Sequence, residues 1–238
     1  MLIGGLQKFS VLDYPEHLSA IVFTQGCNFR CQFCYNPMLV WPIKDGQRKY
    51  QKSHSLISEN DFFAFLEGRQ GKLDAVVITG GEPTLHQDLP EFIKKIRSLG
   101  YKIKLDTNGM HPEVIQVLLA EQLIDYLAMD LKAPLEKYAI VVGVSADFAK
   151  IKESVKIIMN SNLLYEFRTT VVPGLHSLED IKAMSQIIKG ATKWYLQKFQ
   201  SNPDLVNQSF HQSASFSEAE LQAMVEAVKD QVGLCQFR

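Results

Sequence analysis

Six short segments rich in Val, Ile and aromatic residues alternate along the chain with six longer segments whose apolar residues recur at helical spacing. No other feature restricts the fold as much, because consecutive strands joined through helices must run parallel, with right-handed crossovers. The expected strands are residues 19–24, 75–79, 101–106, 125–130, 165–172 and 193–199, and the expected helices are 59–67, 89–99, 112–122, 148–160, 178–189 and 217–231. Local signals agree. Ser58 precedes Asp61, and Ser177 precedes Asp180, at the spacing of a side-chain cap, while Pro112 suits a first helical turn. Six βα units are two short of the closed eight-stranded barrel. The expected architecture is therefore α/β, a partial (β/α)6 TIM-like barrel open on one side, built as a single domain over residues 1–238.

Composition narrows the function classes. With 46% hydrophobic residues among 238, the chain has ample material for a core and is not a disordered polymer. Its 25 basic and 26 acidic side chains leave a formal charge of -1, which excludes broad electrostatic capture of nucleic acid or an anionic membrane. No apolar run approaches the roughly 18 residues of a membrane span. The opening MLIGGLQKFSVLDYPEH lacks the basic end, apolar stretch and cleavage site of a signal peptide, so a cytoplasmic location is expected.

Function in parallel α/β folds gathers at the C-terminal ends of the strands. Four groups of chemically capable residues fall there: Cys27 to Cys34, Gly80 to Pro83, Asp106 to Gly109, and Asp130 to Lys132. Three of the four cysteines (Cys27, Cys31, Cys34) lie within eight residues, whereas Cys235 is almost at the other end and reads as an inert, partly buried thiol. Clustered thiols of this kind ligate metal more often than they form disulfides. Ordinary electron-transfer iron–sulfur clusters take four cysteines, so three on one loop suggest a cubane with one iron left for a non-protein ligand. The alternative is a zinc site closed by His54 or Cys235, a binding module without catalysis, although the paired C-x2-C spacing of such sites is missing.

The CxxxCxxC loop with aromatic Phe33 before its last cysteine, followed by GGEP at Gly80 to Pro83, resembles the radical S-adenosylmethionine superfamily. More narrowly, GGLQKFSVLDYP, FTQGCNFRCQFCYNP, TGGEPTL, KLDTNG, YLAMDLKAP and EFRTTVVPG together resemble the activating proteins of anaerobic ribonucleotide reductases, kin of the pyruvate formate-lyase activator, over nearly the whole chain. The resemblance implies a 4Fe-4S cluster, reductive cleavage of S-adenosylmethionine (radical SAM chemistry), and a 5'-deoxyadenosyl radical that makes a glycyl radical on a partner enzyme. That partner is expected to be anaerobic ribonucleotide reductase. No further cysteine group follows, so an external electron donor such as flavodoxin or ferredoxin is implied. A compact small-substrate enzyme of the same superfamily, similar to 7-carboxy-7-deazaguanine synthase, is the rival.

The same resemblance assigns roles residue by residue. Cys27, Cys31 and Cys34 hold the cluster; Gly80 and Gly81 leave room for close backbone approach to the cofactor, and Glu82 accepts from its amine. Asp106 and Asn108 are candidates for ribose or methionyl contact, with a plain turn as the alternative. Asp130 and Lys132 match a cofactor-contacting DLK, against a simple buried ion pair. Arg168 reaches the cofactor carboxylate or else pairs with Glu166 on the same strand face. Phe33 and Tyr35 pack near the cofactor, Tyr35 standing where many relatives carry histidine. The family histidine expected after the sixth strand has no match; Gln197 is a weak substitute and His211 lies too far downstream. His17, His54, His86, His111 and His176 read as surface or loop residues. Residues 37–55, free of strong periodicity, are the candidate partner-docking segment, with Trp41 as anchor and Lys44, Arg48, Lys49 and Lys52 as a basic rim.

Overall fold

The computed structural model describes residues 1–41, 55–201, 204–210 and 213–238. Among the described residues, eight strands follow one another in sequence order in one sheet: β1 (Ile3–Ser10), β2 (Ser19–Thr24), β3 (Ala75–Gly80), β4 (Lys102–Thr107), β5 (Tyr126–Asp130), β6 (Leu164–Val171), β7 (Lys193–Lys198) and β8 (Leu234–Phe237). β2 pairs with β3, β3 with β4, β6 with β7 and β7 with β8, all in parallel, while β1 lies antiparallel to β2. β1 and β8 end the order without pairing to each other, so the sheet of described residues is open, as the α/β expectation required. The eight helices among the described residues are α1 (Pro37–Val40), α2 (Glu59–Glu67), α3 (Leu89–Ser98), α4 (Pro112–Ala120), α5 (Tyr138–Val142), α6 (Phe148–Met159), α7 (Leu178–Ile187) and α8 (Glu218–Val228). None of these is long and apolar enough to cross a membrane.

β2 to β7 coincide with the six expected strands; β1 and β8 are additions. β1 reads IGGLQKFS, where adjacent glycines break both strand propensity and alternation, and it is recruited by antiparallel pairing along β2. β8 has four residues, too few for a periodic signal.

The chain divides into two compact units. The first comprises Met1–Asn28, Asn36–Thr107 and Glu113–Leu127. Within it, Tyr14, Ile21, Ala75, Val77 and Tyr126 form one apolar cluster, joined by Phe23. α2 starts where the Ser58 side chain accepts the Asp61 amide, and α3 buries Leu89, Phe92, Ile93 and Ile96 on one stripe. Phe62 stacks on Phe92 with ring centroids 5.3 Å apart. Burying each such side chain stabilises the fold by roughly 1.5–3 kcal/mol.

The second unit comprises Phe29–Tyr35, Asn108–Pro112 and Ala128–Arg238. A capping box between Ser177 and Asp180 opens α7 at the expected position. Trp194 of β7 is fully buried and donates its indole N–H to Thr169 Oγ1 on β6 at 3.0 Å. The Thr169 hydroxyl in turn donates to the Leu131 carbonyl at 2.9 Å, tying the chain just after β5 to the middle of β6. Tyr138 of α5 packs edge-on against both Phe29 and Phe148.

Candidate active site

In the first unit, the chain leaving β2 is held almost entirely by backbone. Gly26 and Cys27 donate their amides to the carbonyls of Leu39 and Val40 at 2.7 and 3.1 Å, so the end of α1 seats the first cysteine. From β3, the Gly81 amide donates to Thr24 O and the Glu82 amide to Gly26 O, at 2.9 and 2.8 Å. Gly80 has φ +118, and a side chain on it would start 2.3 Å from Thr24 N; one on Gly81 would start 2.0 Å from Gly26 O. The protein's own backbone approaches both glycines closely. These two glycines let the GGEP turn and the cysteine segment touch.

Glu82 follows, 1% exposed, with Oε1 accepting from the Thr84 amide (3.1 Å), the Thr84 hydroxyl (2.5 Å) and the Thr107 hydroxyl (2.7 Å). A buried carboxylate so served by donors keeps a fixed orientation. Asp106 Oδ1 is 2.5 Å from the ammonium of Lys104, a residue only 2% exposed whose charge also lies 5.9 Å from the Tyr126 ring centroid. Lys104 is a member of the site that the sequence reading missed. The available signal was its spacing: two residues before Asp106, it shares that residue's strand face.

In the second unit, Phe29–Tyr35 carries Cys31 and Cys34, which meet in one turn closed by the Cys34 amide on Cys31 O at 3.0 Å. On one flank, the Arg30 and Gln32 amides donate to Val142 O and Val141 O at 2.8 and 3.4 Å, and the Gln32 side chain donates to Ile140 O at 2.8 Å. The last carbonyls of α5, which have no partner inside the helix, serve as acceptors for the cysteine loop. On the other flank, the Val206 amide donates to Cys34 O and the Asn207 amide to Gln32 O, while the Asn207 and Gln32 side chains bond at 2.9 Å. None of these partners has a signature in the loop's own sequence.

All four cysteines are free thiols. Burial pushes the Cys31 thiol up to about 12, against the lowering effect of the Lys132 charge, so ligation of a metal there must displace a tightly held proton. Within the second unit, Cys31 and Cys34 are free thiols on a segment with its backbone held in place, the soft donor type that an iron–sulfur cluster takes, and Cys27 is a free thiol in the first unit. Cys235 is buried, and its thiol is raised to about 11 by that burial.

Phe33 is buried, with the Lys132 ammonium 5.8 Å and the His176 ring 6.4 Å from its centroid. Tyr35 stacks on Phe199 at 6.0 Å and 13°, and its hydroxyl accepts the Gln200 amide at 2.7 Å. Asn108 is buried and its Oδ1 accepts the Met110 amide at 3.0 Å, the turn role weighed for it.

Asp130 stands between two cations. Lys132 donates to its Oδ2 at 2.9 Å and Arg168 Nε to its Oδ1 at 2.8 Å. Burial alone would raise the Asp130 carboxyl, but Arg168 and then Lys132 hold it well below the usual carboxylate range. Burial likewise works to lower the Lys132 ammonium, and Asp130 overcomes this and raises it. Arg168 therefore pairs with Asp130, and Glu166, its expected partner, is bound by Arg238 at 2.8 Å.

His176 lies on the loop between β6 and α7, the loop alternative of its reading, but it is only 5% exposed; its Nδ1 accepts the Val172 amide at 3.1 Å, and its Nε2 lies 2.8 Å from the Lys132 carbonyl. One expectation needs correction. The 37–55 segment is not wholly irregular, since Pro37 opens α1 and the Gln25 side chain donates to the Met38 and Trp41 carbonyls. Lys44, Arg48, Lys49, Lys52 and His54 lie outside the described residues, as does His211.

The radical SAM superfamily profile matches residues 21–186, and the chain belongs to that superfamily. Its cofactors are accordingly a 4Fe-4S cluster and S-adenosylmethionine. Among curated relatives, it is 33% identical over 234 residues to MJ1227 of Methanocaldococcus jannaschii, a provisionally named glycyl-radical enzyme activating enzyme, covering 96% of this chain and 92% of the relative. It is also 35% identical over 91 residues to the 7-carboxy-7-deazaguanine synthase of Halobacterium salinarum, covering 38% of this chain and 32% of that one. Among solved structures, Streptococcus suis SuiB bound to S-adenosylmethionine aligns with a TM-score of 0.65 at 14% identity, over 90% of this chain and 48% of SuiB. The chain thus spans about half of SuiB, and that likeness is one of fold.

Proposed function

We propose that residues 1–238 act as one radical S-adenosylmethionine domain that generates a glycyl radical on a partner protein, with anaerobic ribonucleotide reductase as the target. The near full-length likeness to MJ1227 carries this reading. When bound, the cluster supplies the electron that splits S-adenosylmethionine into methionine and the 5'-deoxyadenosyl group that takes hydrogen from glycine. Flavodoxin or ferredoxin serves as the external electron donor.

The chain's own residues bind and orient. Cys27, Cys31 and Cys34 are the cluster ligands. Glu82, held rigid by Thr84 and Thr107, receives the cofactor amine. Asp130 orients Lys132 and Arg168, and these two cations attract the cofactor carboxylate. Asp106 and Asn108, with Phe33 and Tyr35, complete the cofactor contacts. Trp41 and the segment after it meet the partner.

The test is anaerobic reconstitution with iron and sulfide, reduction, and incubation with S-adenosylmethionine and an anaerobic ribonucleotide reductase. The expected result is 5'-deoxyadenosine together with the electron paramagnetic resonance signal of a glycyl radical, and Cys27→Ala, Cys31→Ala or Cys34→Ala each abolishes both. Cofactor cleavage without a glycyl radical, accompanied by formation of 7-carboxy-7-deazaguanine, would favour the small-molecule reading that the 91-residue match supports.

A further inference from the structure

We propose that His176 is a positioning residue that fixes the backbone of Lys132 and so aims the Lys132 ammonium at the S-adenosylmethionine carboxylate, an inference resting on the reading above that Lys132 meets the cofactor. Beyond β5, the chain is tied to β6 and its following loop at three successive backbone groups. The Leu131 amide donates to Arg168 O at 2.9 Å, the Leu131 carbonyl accepts from Thr169 Oγ1 at 2.9 Å, and the Lys132 carbonyl faces His176 Nε2 at 2.8 Å. The first two bonds hold residue 131. The Thr169 bond also fixes the peptide plane that enters Lys132, and the His176 contact acts on the plane that leaves it, so the two bracket the Lys132 Cα.

The imidazole is placed for this task by its other nitrogen. Nδ1 lies 3.1 Å from the Val172 amide, which can only donate, so Nδ1 accepts and the ring proton sits on Nε2, directed at the Lys132 carbonyl. Burial lowers the His176 pKa, which keeps this uncharged form. One ring thereby joins the backbone after β6 to the backbone after β5. Lys132 is long and flexible, and a small rotation at its Cα is magnified at its ammonium. The fixed carbonyl restricts that rotation, while Asp130 at 2.9 Å and the Phe33 ring at 5.8 Å define the far end. Phe33 also touches His176, so the same ring bears on the aromatic between Cys31 and Cys34. Two hydrogen bonds and a ring contact concentrate on one residue outside every cofactor role assigned above.

The experiment titrates S-adenosylmethionine into the reconstituted protein and into three variants, with iron content and uncoupled cleavage kinetics measured on the same samples. His176→Phe keeps an aromatic ring but neither bond. It should retain its iron and its kcat at saturating cofactor, and weaken Kd and KM about tenfold, the equivalent of one hydrogen bond. His176→Gln keeps an acceptor and a donor on an uncharged side chain and should recover most of that affinity. Wild-type affinity in His176→Phe overturns the inference. So does an equal loss of affinity and iron in both His176 variants, which would mark general packing; if His176→Phe does not fold, His176→Gln against wild type decides on the same readouts, near-wild-type affinity supporting the inference and a full tenfold loss overturning it. Lys132→Met separates the two levels: unchanged affinity there removes the parent reading, whereas weakened affinity there with an unaffected His176→Phe removes only the role of His176.

Discussion

The GGEP turn and the Asp130 to Lys132 segment both follow parallel strands, yet they are held in opposite ways. Around Gly81, the fixing contacts are backbone to backbone, and what the sequence contributes is the absence of side chains. Around Lys132, they are side-chain contacts: an ion triad, a threonine, a tryptophan and a histidine. The two glycines of the first region should tolerate changes of salt but no added volume. The second should tolerate modest changes of volume but no change of charge or hydrogen-bonding capacity.

The severest expected break is Gly81→Val. Its Cβ would start 2.0 Å from Gly26 O, next to Cys27, and a backbone neighbour cannot move aside as a flexible side chain does. Overpacking costs typically about 1–3 kcal/mol, and here it also displaces a cluster ligand, so iron uptake should fail and the urea midpoint of the apoprotein should drop. A variant that binds iron and unfolds like the parent would show that the turn is not backbone-limited.

Next in size is Asp130→Asn, which removes the negative charge between Lys132 and Arg168. Removing one partner of a buried pair costs about 3–5 kcal/mol, and with the Asp130 side chain 24% exposed a loss nearer 2–3 kcal/mol is expected in urea unfolding near pH 7. Because the folded-state carboxyl is depressed, its contribution is present above the ordinary carboxylate range and lost as pH falls below it. The gap between parent and variant should therefore narrow in acid. A gap that stays constant with pH would mean that the Asp130 charge is not what stabilises the segment.

The mildest is Thr107→Val, which removes one of the donors to Glu82 while nearly conserving shape. A hydrogen bond to a charged acceptor contributes about 1.5–3 kcal/mol, and two donors from Thr84 remain, so a loss near 1.5 kcal/mol is expected by thermal unfolding. A neutral substitution would indicate that Thr84 alone orients the carboxylate.

The two regions also differ in how much of them the sequence discloses. β2 to β7 are legible because helical spacing and short apolar runs survive in the order of residues, whereas β1 exists through pairing to β2 and has no period of its own. The cysteines, Glu82 and the DLK residues are legible as chemistry. What holds them is not. Carbonyls of Leu39, Val40, Val141 and Val142 do much of that holding, and every residue type has a carbonyl. Arg168 shows the same limit in a side chain: alternation places it on the face of Glu166, but only the crossing from β5 to β6 brings Asp130 to it. Lys104 and His176 look ordinary in sequence because their burial is decided by neighbours distant along the chain.

The clamp on the cysteine loop has a consequence in time. Gln32 leaves the ribosome 175 residues ahead of Asn207, the residue whose amide and side chain secure it. At about 5–20 residues per second, that interval is on the order of ten to thirty seconds. Throughout it, a nascent chain displays its thiols on a loop held from one flank at most, and the second flank closes only when Val206 and Asn207 have been made. A chain stalled short of Leu205 should accordingly show fast amide exchange at residues 29–35, and slow exchange there would mean that the α5 flank suffices. Sealing of the loop waits on the synthesis of Asn207, which leaves a long window for iron to be delivered before the binding segment stiffens.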